Sequence, residues 1–174
     1  MADIELIMGD ITTQKTDAVV NAANSGLLGG GGVDGAIHRA AGSALYDECL
    51  KIPAGPHGRC PTGQCVVTGA GRLPCKKVIH TVGPVYSGGK EDSALLADCY
   101  RNSLEAAEKA GLESVAFPNI STGVYGYPKP EAARVAIDTV RKTLRRTPSV
   151  KRVVFVCFDS ENYRLYEELL GKGN

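Results

Sequence analysis

The sequence has no tryptophan, only three histidines and no surplus of charge, with 20 Lys and Arg against 19 Asp and Glu. That balance argues against nucleic acid or a membrane surface as partner, because both require a basic face. No apolar run reaches the roughly 18 residues that a bilayer-crossing helix takes. The start, MADIELIMGD, lacks the basic n-region and long apolar h-region of a secretory signal, so a cytoplasmic protein is expected. The six cysteines (Cys49, Cys60, Cys65, Cys75, Cys99, Cys157) follow no C-x-x-C spacing, and with only His38, His57 and His80 the sequence supports no zinc site. Reduced thiols are expected, with no metal and no cofactor. A catalytic cysteine would need a histidine partner that sequence cannot place.

What is present is one domain's worth of chain. The 174 residues, 43% hydrophobic and 22% charged, suit a single compact domain over residues 1–174, expected as a monomer. Residues 3–8 alternate as a half-buried strand, and 17–22, DAVVNA, read as a short apolar one. VDGAIHRAAG is helical by spacing, and SALYDECL follows as a second short helix. Residues 52–63, rich in proline and glycine, form a loop. Strand-like runs occupy 64–70, 76–84, 114–120 and 151–158. Helices are marked by acids and Gly111 around EDSALLADCYRNSLEAAEKAG, by Pro130 and Pro148 around 129–148, and by Asp159 or Ser160 capping a helix over 159–173. Strands alternating with helices give the α/β class, a sheet covered on both faces. Because the first strand and the 64–70/76–84 pair lack intervening helices, the sheet is expected to be mixed.

The most unusual stretch is GLLGGGGVDGAIHRAAG, residues 26–42, with four glycines in a row. Gly30 to Gly35 matches G-x-G-x-x-G, but the dinucleotide reading needs an acid about 20 residues on, at the end of a second strand. That window here is IPAGPHG, a loop without an acid, and no G-K-[ST] follows for a nucleotide P-loop. What remains is shared physics. Glycines let backbone N–H groups approach an anion, and a helix starting near Val33 points its positive end there. A diphosphate is the obvious guest; a flexible surface turn is the plain alternative. A second loop, ISTGVYGYP, also links a strand to a helix. Ser121 and Thr122 offer hydroxyls, Gly123 close approach and Tyr125 a ring, so two loops at strand ends could hold one diphosphate.

Asp10 closes the first strand, where its carboxylate could accept from an exocyclic amine while the Ile11 N–H serves a ring nitrogen; an Asx or N-cap turn explains it as well. Asn21 and Asn24 carry amides suited to vicinal sugar hydroxyls, or to capping a loop. Asp34 falls in the first helical turn, where the dipole alone favours an acid. Yet a carboxylate beside a phosphate cradle is repelled by the guest, which points it at a ribose hydroxyl or a water. His38 reads as a partly buried helix residue without a main role, and Phe158 as core or as a ring stacked on a base.

Taken together, GDIT, VVNAAN, GGGGVDGAIHRAAG, CPTG, VIHTVGP and AFPNISTGVYGYP resemble the macro-domain family, and more narrowly its MacroD-type branch, in order over residues 9–128. The resemblance implies a three-layer α/β/α sandwich around a mixed six-stranded sheet that binds ADP-ribose. Carried over, Asp10 and Ile11 would take the adenine. Gly29, Gly30, Gly31, Gly32 and Val33 would embrace the diphosphate with Ser121, Thr122, Gly123, Val124 and Tyr125. Asn24 and Asp34 would address the distal ribose, and Tyr125 would pack near it and help position a water. Asn119 departs from the small residue of that branch and bears on fine substrate preference. Similar proteins hydrolyse esters at the distal ribose, removing ADP-ribose from acidic side chains of mono-ADP-ribosylated proteins and deacetylating O-acetyl-ADP-ribose. With no triad at recognisable spacing, the expected mechanism is a water oriented or deprotonated by Asp34 and the diphosphate, with Asn24 fixing the ribose. The helix end would lower the pKa of Asp34 and the phosphates would raise it.

Two rival readings belong to other classes. A non-catalytic ADP-ribose reader needs the same loops but not Asn24 paired with Asp34. An RNA-associated regulator would use the basic run Arg141, Lys142, Arg145, Arg146, Lys151 and Arg152, which also suits a solvated helix end.

Overall fold

Alternating side chains on the strands give each a face toward either helical layer. In a computed structural model, which describes residues 2–171, the strands are β1 (Asp3–Met8), β2 (Ala18–Ala23), β3 (Cys65–Gly69), β4 (Lys77–Val82), β5 (Ser114–Phe117) and β6 (Arg152–Cys157). The helices are α1 (Gly32–Ala41), α2 (Ser43–Leu50), α3 (Glu91–Lys109), α4 (Lys129–Leu144) and α5 (Ser160–Gly171). The expected continuation of the last helix through Lys172 and Gly173 lies outside the described residues. A short 3-10 turn, Ile11–Thr13, follows β1 with Asp10 as its N-cap, the turn reading that the sequence offered for Asp10.

The six strands pair in the order β1-β6-β5-β2-β4-β3. Only β3 and β4 run antiparallel, so the sheet is mixed as expected. Along β2, Val20 joins Ile79, Phe117 and Phe155 on one face, packed by Leu96 and Tyr100 of α3, Ile137 of α4 and Tyr166 of α5. Its neighbour Val19 joins Val78, Ala116 and Val154 on the other, covered by Ile37 of α1 and Leu45 of α2. The period of two thus builds two cores and a three-layer α/β/α sandwich. Rings continue through the first core: Tyr100 to Phe117 at 5.0 Å, Phe117 to Phe155 at 6.1 Å and Phe155 to Tyr166 at 5.1 Å between centroids.

Local chemistry sets the boundaries. Strand β5 stops at Phe117, short of residue 120, because Pro118 has no N–H for the ladder. Asp159 caps α5, its Oδ1 accepting from Asn162 N at 2.7 Å. No helix among the described residues is long and apolar enough to cross a membrane. The consequence for function is one of placement. Strands β2 and β5 are parallel neighbours, so the loops leaving their carboxyl ends, into α1 and α4, open on the same crevice.

Candidate functional site

The first loop is built by an amide. Asn24, just beyond β2, accepts from Gly26 N at 3.1 Å and Leu27 N at 3.2 Å through Oδ1, and donates from Nδ2 to Gly29 O at 3.1 Å. One amide hydrogen remains for a ligand. The chain then enters α1 at Gly32 with Gly31 as N-cap and no side chain capping it, so the first helical N–H groups stay open to a guest. A Cβ on Gly31 or Gly32 would meet nothing within 4 Å. A Cβ on Gly35 would lie 2.4 Å from Gly30 O, so α1 can rest on the loop only because Gly35 has no side chain.

The second loop is pinned differently. Ser121 adopts a φ of 68°, a strained value for a non-glycine residue, and its hydroxyl donates to Pro84 O at 2.8 Å. A Cβ on Gly83 would come within 2.2 Å of that Ser121 oxygen. The Ser121 hydroxyl thereby anchors the loop to the chain beyond β4. Tyr86 N donates to Tyr125 O at 2.8 Å and ties the loop to the chain beyond β4. Val124 is fully exposed, and a Cβ on Gly123 would meet open space.

Two cavities, of about 420 and about 600 Å³, flank the loops and share Gly32, Val33, Asn119 and Gly123. The first also contains Asn24, Gly30, Gly31, Asp34, Ser121, Val124 and Tyr125. The second contains Asp10, Ile11, Thr122 and Phe158. Phe158 is 85% exposed, which removes the core alternative and leaves its ring free to stack. Asp10 does cap the 3-10 turn, Oδ1 accepting from Thr12 N at 2.8 Å and Thr12 Oγ1 at 2.7 Å, which leaves Oδ2 to a ligand. Gly29 turns its carbonyl to Asn24 and lines neither cavity. Asn21 is fully buried behind Asp34 and likewise lines neither.

Asp34 is only 4% exposed. Its Oδ1 accepts from Asn21 Nδ2 at 2.8 Å and sits 3.5 Å from His38 Nε2, without an aligned hydrogen bond between them. Its Oδ2 is buried with no hydrogen-bond partner, beside the cavity wall at Gly30. Burial raises the Asp34 pKa above the ordinary carboxyl value, against the Asn21 hydrogen bond and the nearby His38, which lower it. The expected contest between helix end and phosphates thus omitted the largest influence, desolvation. Asn21 also bonds His80 Nδ1 at 3.1 Å, and His80 Nε2 lies 2.9 Å from Thr68 Oγ1. His80 and Thr68 were missed. The available signal was a lone histidine inside the apolar run KKVIHTVGP.

Burial holds the His80 pKa down at about 4 and pushes the Cys49 thiol, 3.8 Å away, up to about 11. That pair therefore offers no thiolate, which disposes of the catalytic-cysteine alternative at this contact. Of the basic run, Arg146 pairs with Glu105 at 3.4 Å and Arg152 with Glu5 at 2.5 Å.

Comparison with known proteins agrees with this geometry. The family model for the macro domain matches residues 20–136. An Escherichia coli (strain K12) protein named O-acetyl-ADP-ribose deacetylase is 55% identical over 168 residues, 96% of this chain and 94% of its own. A solved Oceanobacillus iheyensis macrodomain with ADP superposes with a TM-score of 0.92 at 44% identity, covering 97% of this chain and 90% of that one. A Trypanosoma brucei macrodomain in complex with ADP-ribose does so with a TM-score of 0.87 at 44% identity, covering 97% and 69%.

The buried contacts predict two stability effects. Gly35→Ala is expected to cost about 1–3 kcal/mol in denaturant unfolding as its methyl displaces Gly30, whereas Gly31→Ala stays within roughly 0.5 kcal/mol; equal stabilities would contradict the close approach. A raised carboxyl pKa means that the folded state holds the proton more tightly than the unfolded one, so ionising Asp34 as pH rises destabilises the fold. Asp34→Asn should therefore have a higher Tm than wild type at neutral pH, the gain shrinking as acid protonates the wild-type group. A gain that grows on acidification contradicts this.

Proposed function

Since this chain belongs to the macro domain family, we propose that it is a hydrolase cleaving esters at the distal ribose of ADP-ribose, with O-acetyl-ADP-ribose and mono-ADP-ribosylated acidic side chains as substrates. The observation that carries the reading is the free Oδ2 of Asp34, buried at the edge of a cavity whose wall also carries the open amino end of α1. A nucleotide laid across both cavities would put its base near Phe158 and Asp10. Its diphosphate would lie at the shared stretch of Gly32, Val33 and Gly123, and its far ribose beside Asn24, Asp34 and Tyr125. Backbone N–H groups would meet the phosphate oxygens without adding a cation.

With the ester carbonyl in the first cavity, Asp34 Oδ2 would accept a proton from a water as the water oxygen attacks the acyl carbon. The tetrahedral intermediate then expels the ribose oxygen, which takes the proton back from Asp34, and the products are ADP-ribose and a carboxylic acid. Burial suits Asp34 to this, since a carboxylate with a raised pKa is a stronger base than an exposed one. Asn24 would hold a ribose hydroxyl with its remaining amide hydrogen, and Tyr125 would close one side of the water's position. The same carboxylate gives a pure reader no advantage: it is destabilising where it lies and repels the guest's phosphates.

Hydrolysis of O-acetyl-ADP-ribose and of a glutamate-linked mono-ADP-ribosyl protein by the purified chain tests the reading; binding without acetate release in the first assay would favour a reader. General-base assistance is typically worth about 10²–10⁴-fold, so Asp34→Ala should lose turnover by a factor in that range and retain ADP-ribose affinity. Wild-type turnover would remove Asp34 from the mechanism. Gly123→Glu, which puts bulk and negative charge into the shared stretch, should abolish ADP-ribose binding in calorimetry, and unchanged affinity would place the diphosphate elsewhere.

A further inference from the structure

Behind Asp34 lies a file of buried polar groups that the reaction itself does not touch. Thr68 on β3, His80 on β4 and Asn21 on β2 are each at most 4% exposed, and they connect Asp34 to the backbone carbonyl of Gly69. We infer that this file is directional, and that Thr68 and His80 are positioning residues which fix the amide face that Asn21 presents to Asp34. The direction starts at Gly69 O, which can only accept. Thr68 Oγ1 donates its single hydrogen to that oxygen at 2.9 Å, so toward His80 it can only accept. His80 Nε2, 2.9 Å away, must then carry the ring hydrogen. With the ring neutral, Nδ1 holds a lone pair and accepts from Asn21 Nδ2 at 3.1 Å. The second hydrogen of the same nitrogen reaches Asp34 Oδ1 at 2.8 Å.

The opposite amide orientation would set Asn21 Oδ1 against both a carboxylate oxygen and a ring lone pair. In the observed one, Asn21 Oδ1 is buried without a partner. An orphaned acceptor is tolerated because it keeps the donor on Asp34. Other titratable groups face the carboxylate too: His38 on α1 and Cys49 on α2, with Glu48 and Arg59 acting on Cys49 from farther out. None of them donates a hydrogen bond to Asp34 Oδ1. The fixed N–H favours the ionised carboxylate, the form that can accept a proton from water.

This inference rests on Asp34 being the base, yet its two NMR readouts need no substrate and so separate its failure from a failure of that reading. In wild-type protein, ¹⁵N shifts should show His80 protonated at Nε2 and not at Nδ1; the Nδ1–H tautomer overturns the inference. Thr68→Val keeps the shape and removes the acceptor. It should raise the pKa of the ¹³C-labelled Asp34 carboxyl, move the acid limb of kcat/KM for O-acetyl-ADP-ribose to higher pH, and lower kcat on that limb by roughly tenfold, as expected for one weakened charge-assisted bond. ADP-ribose affinity should stay within about twofold, because no ligand contact changes. Thr68→Ser, which restores the hydroxyl, should return both the titration and the pH profile. An Asp34 titration and acid limb unmoved in a folded Thr68→Val protein would overturn the directional file.

Discussion

Asp34 holds one carboxylate oxygen on Asn21 and leaves the other bare, inside protein, at the edge of a cavity where α1 presents unpaired N–H groups. Apart from the Asn21 hydrogen bond, the parts of that arrangement oppose stability on their own. Burial works against the ionised form, and the orphaned oxygens of Asp34 and Asn21 belong to a class of group that typically costs about 1–3 kcal/mol. The compensation comes from around it. Two apolar layers of side chains, closed by α1 and α2 on one face and α3, α4 and α5 on the other, hold the strand ends rigidly enough for the site to keep its shape.

The loops themselves are assembled by backbone contacts that side chains would forbid. Gly35 lets α1 seat on Gly30, and Gly83 lets Ser121 reach Pro84. In both places glycine permits a close approach, which fixes the amide groups that a phosphate would meet. The four glycines in a row therefore divide by task. Gly29 turns the chain and gives its carbonyl to Asn24, while Gly30, Gly31 and Gly32 form cavity wall. Asn119 lines both cavities and bonds Cys157 Sγ at 3.6 Å, so this polar residue sits under the junction where a diphosphate would cross.

Much of this was legible in the sequence because its signals are local. Strand alternation, the caps around α3 and α5, and the glycine loop running into a helix depend on neighbours within a few positions, and those elements fell where expected. The mixed sheet was expected from missing helices after the first strand and between β3 and β4; the β3–β4 pair supplies the antiparallel part, whereas β1 runs parallel to β6. What stayed hidden depends on partners far along the chain. Asn21 could be seen as an amide at a strand end, but its partners lie 13 residues away at Asp34 and 59 away at His80. The Ser121 hydroxyl reads locally as a ligand-facing group, but its anchor on Pro84, 37 residues earlier, has no local signal. Desolvation of Asp34 was invisible for the same reason, since it is set by the packing of α1 on the sheet rather than by sequence neighbours.

Function turns on placement: one nucleotide would span both cavities, with its paired phosphates over Gly32, Val33 and Gly123. A crystal structure with ADP-ribose tests it directly. The base should lie beside Phe158, phosphate oxygens within hydrogen-bond reach of the first N–H groups of α1, and the far ribose next to Asp34 Oδ2. A nucleotide lodged outside this crevice, or reversed so that its adenine fills the Asp34 cavity, would contradict it.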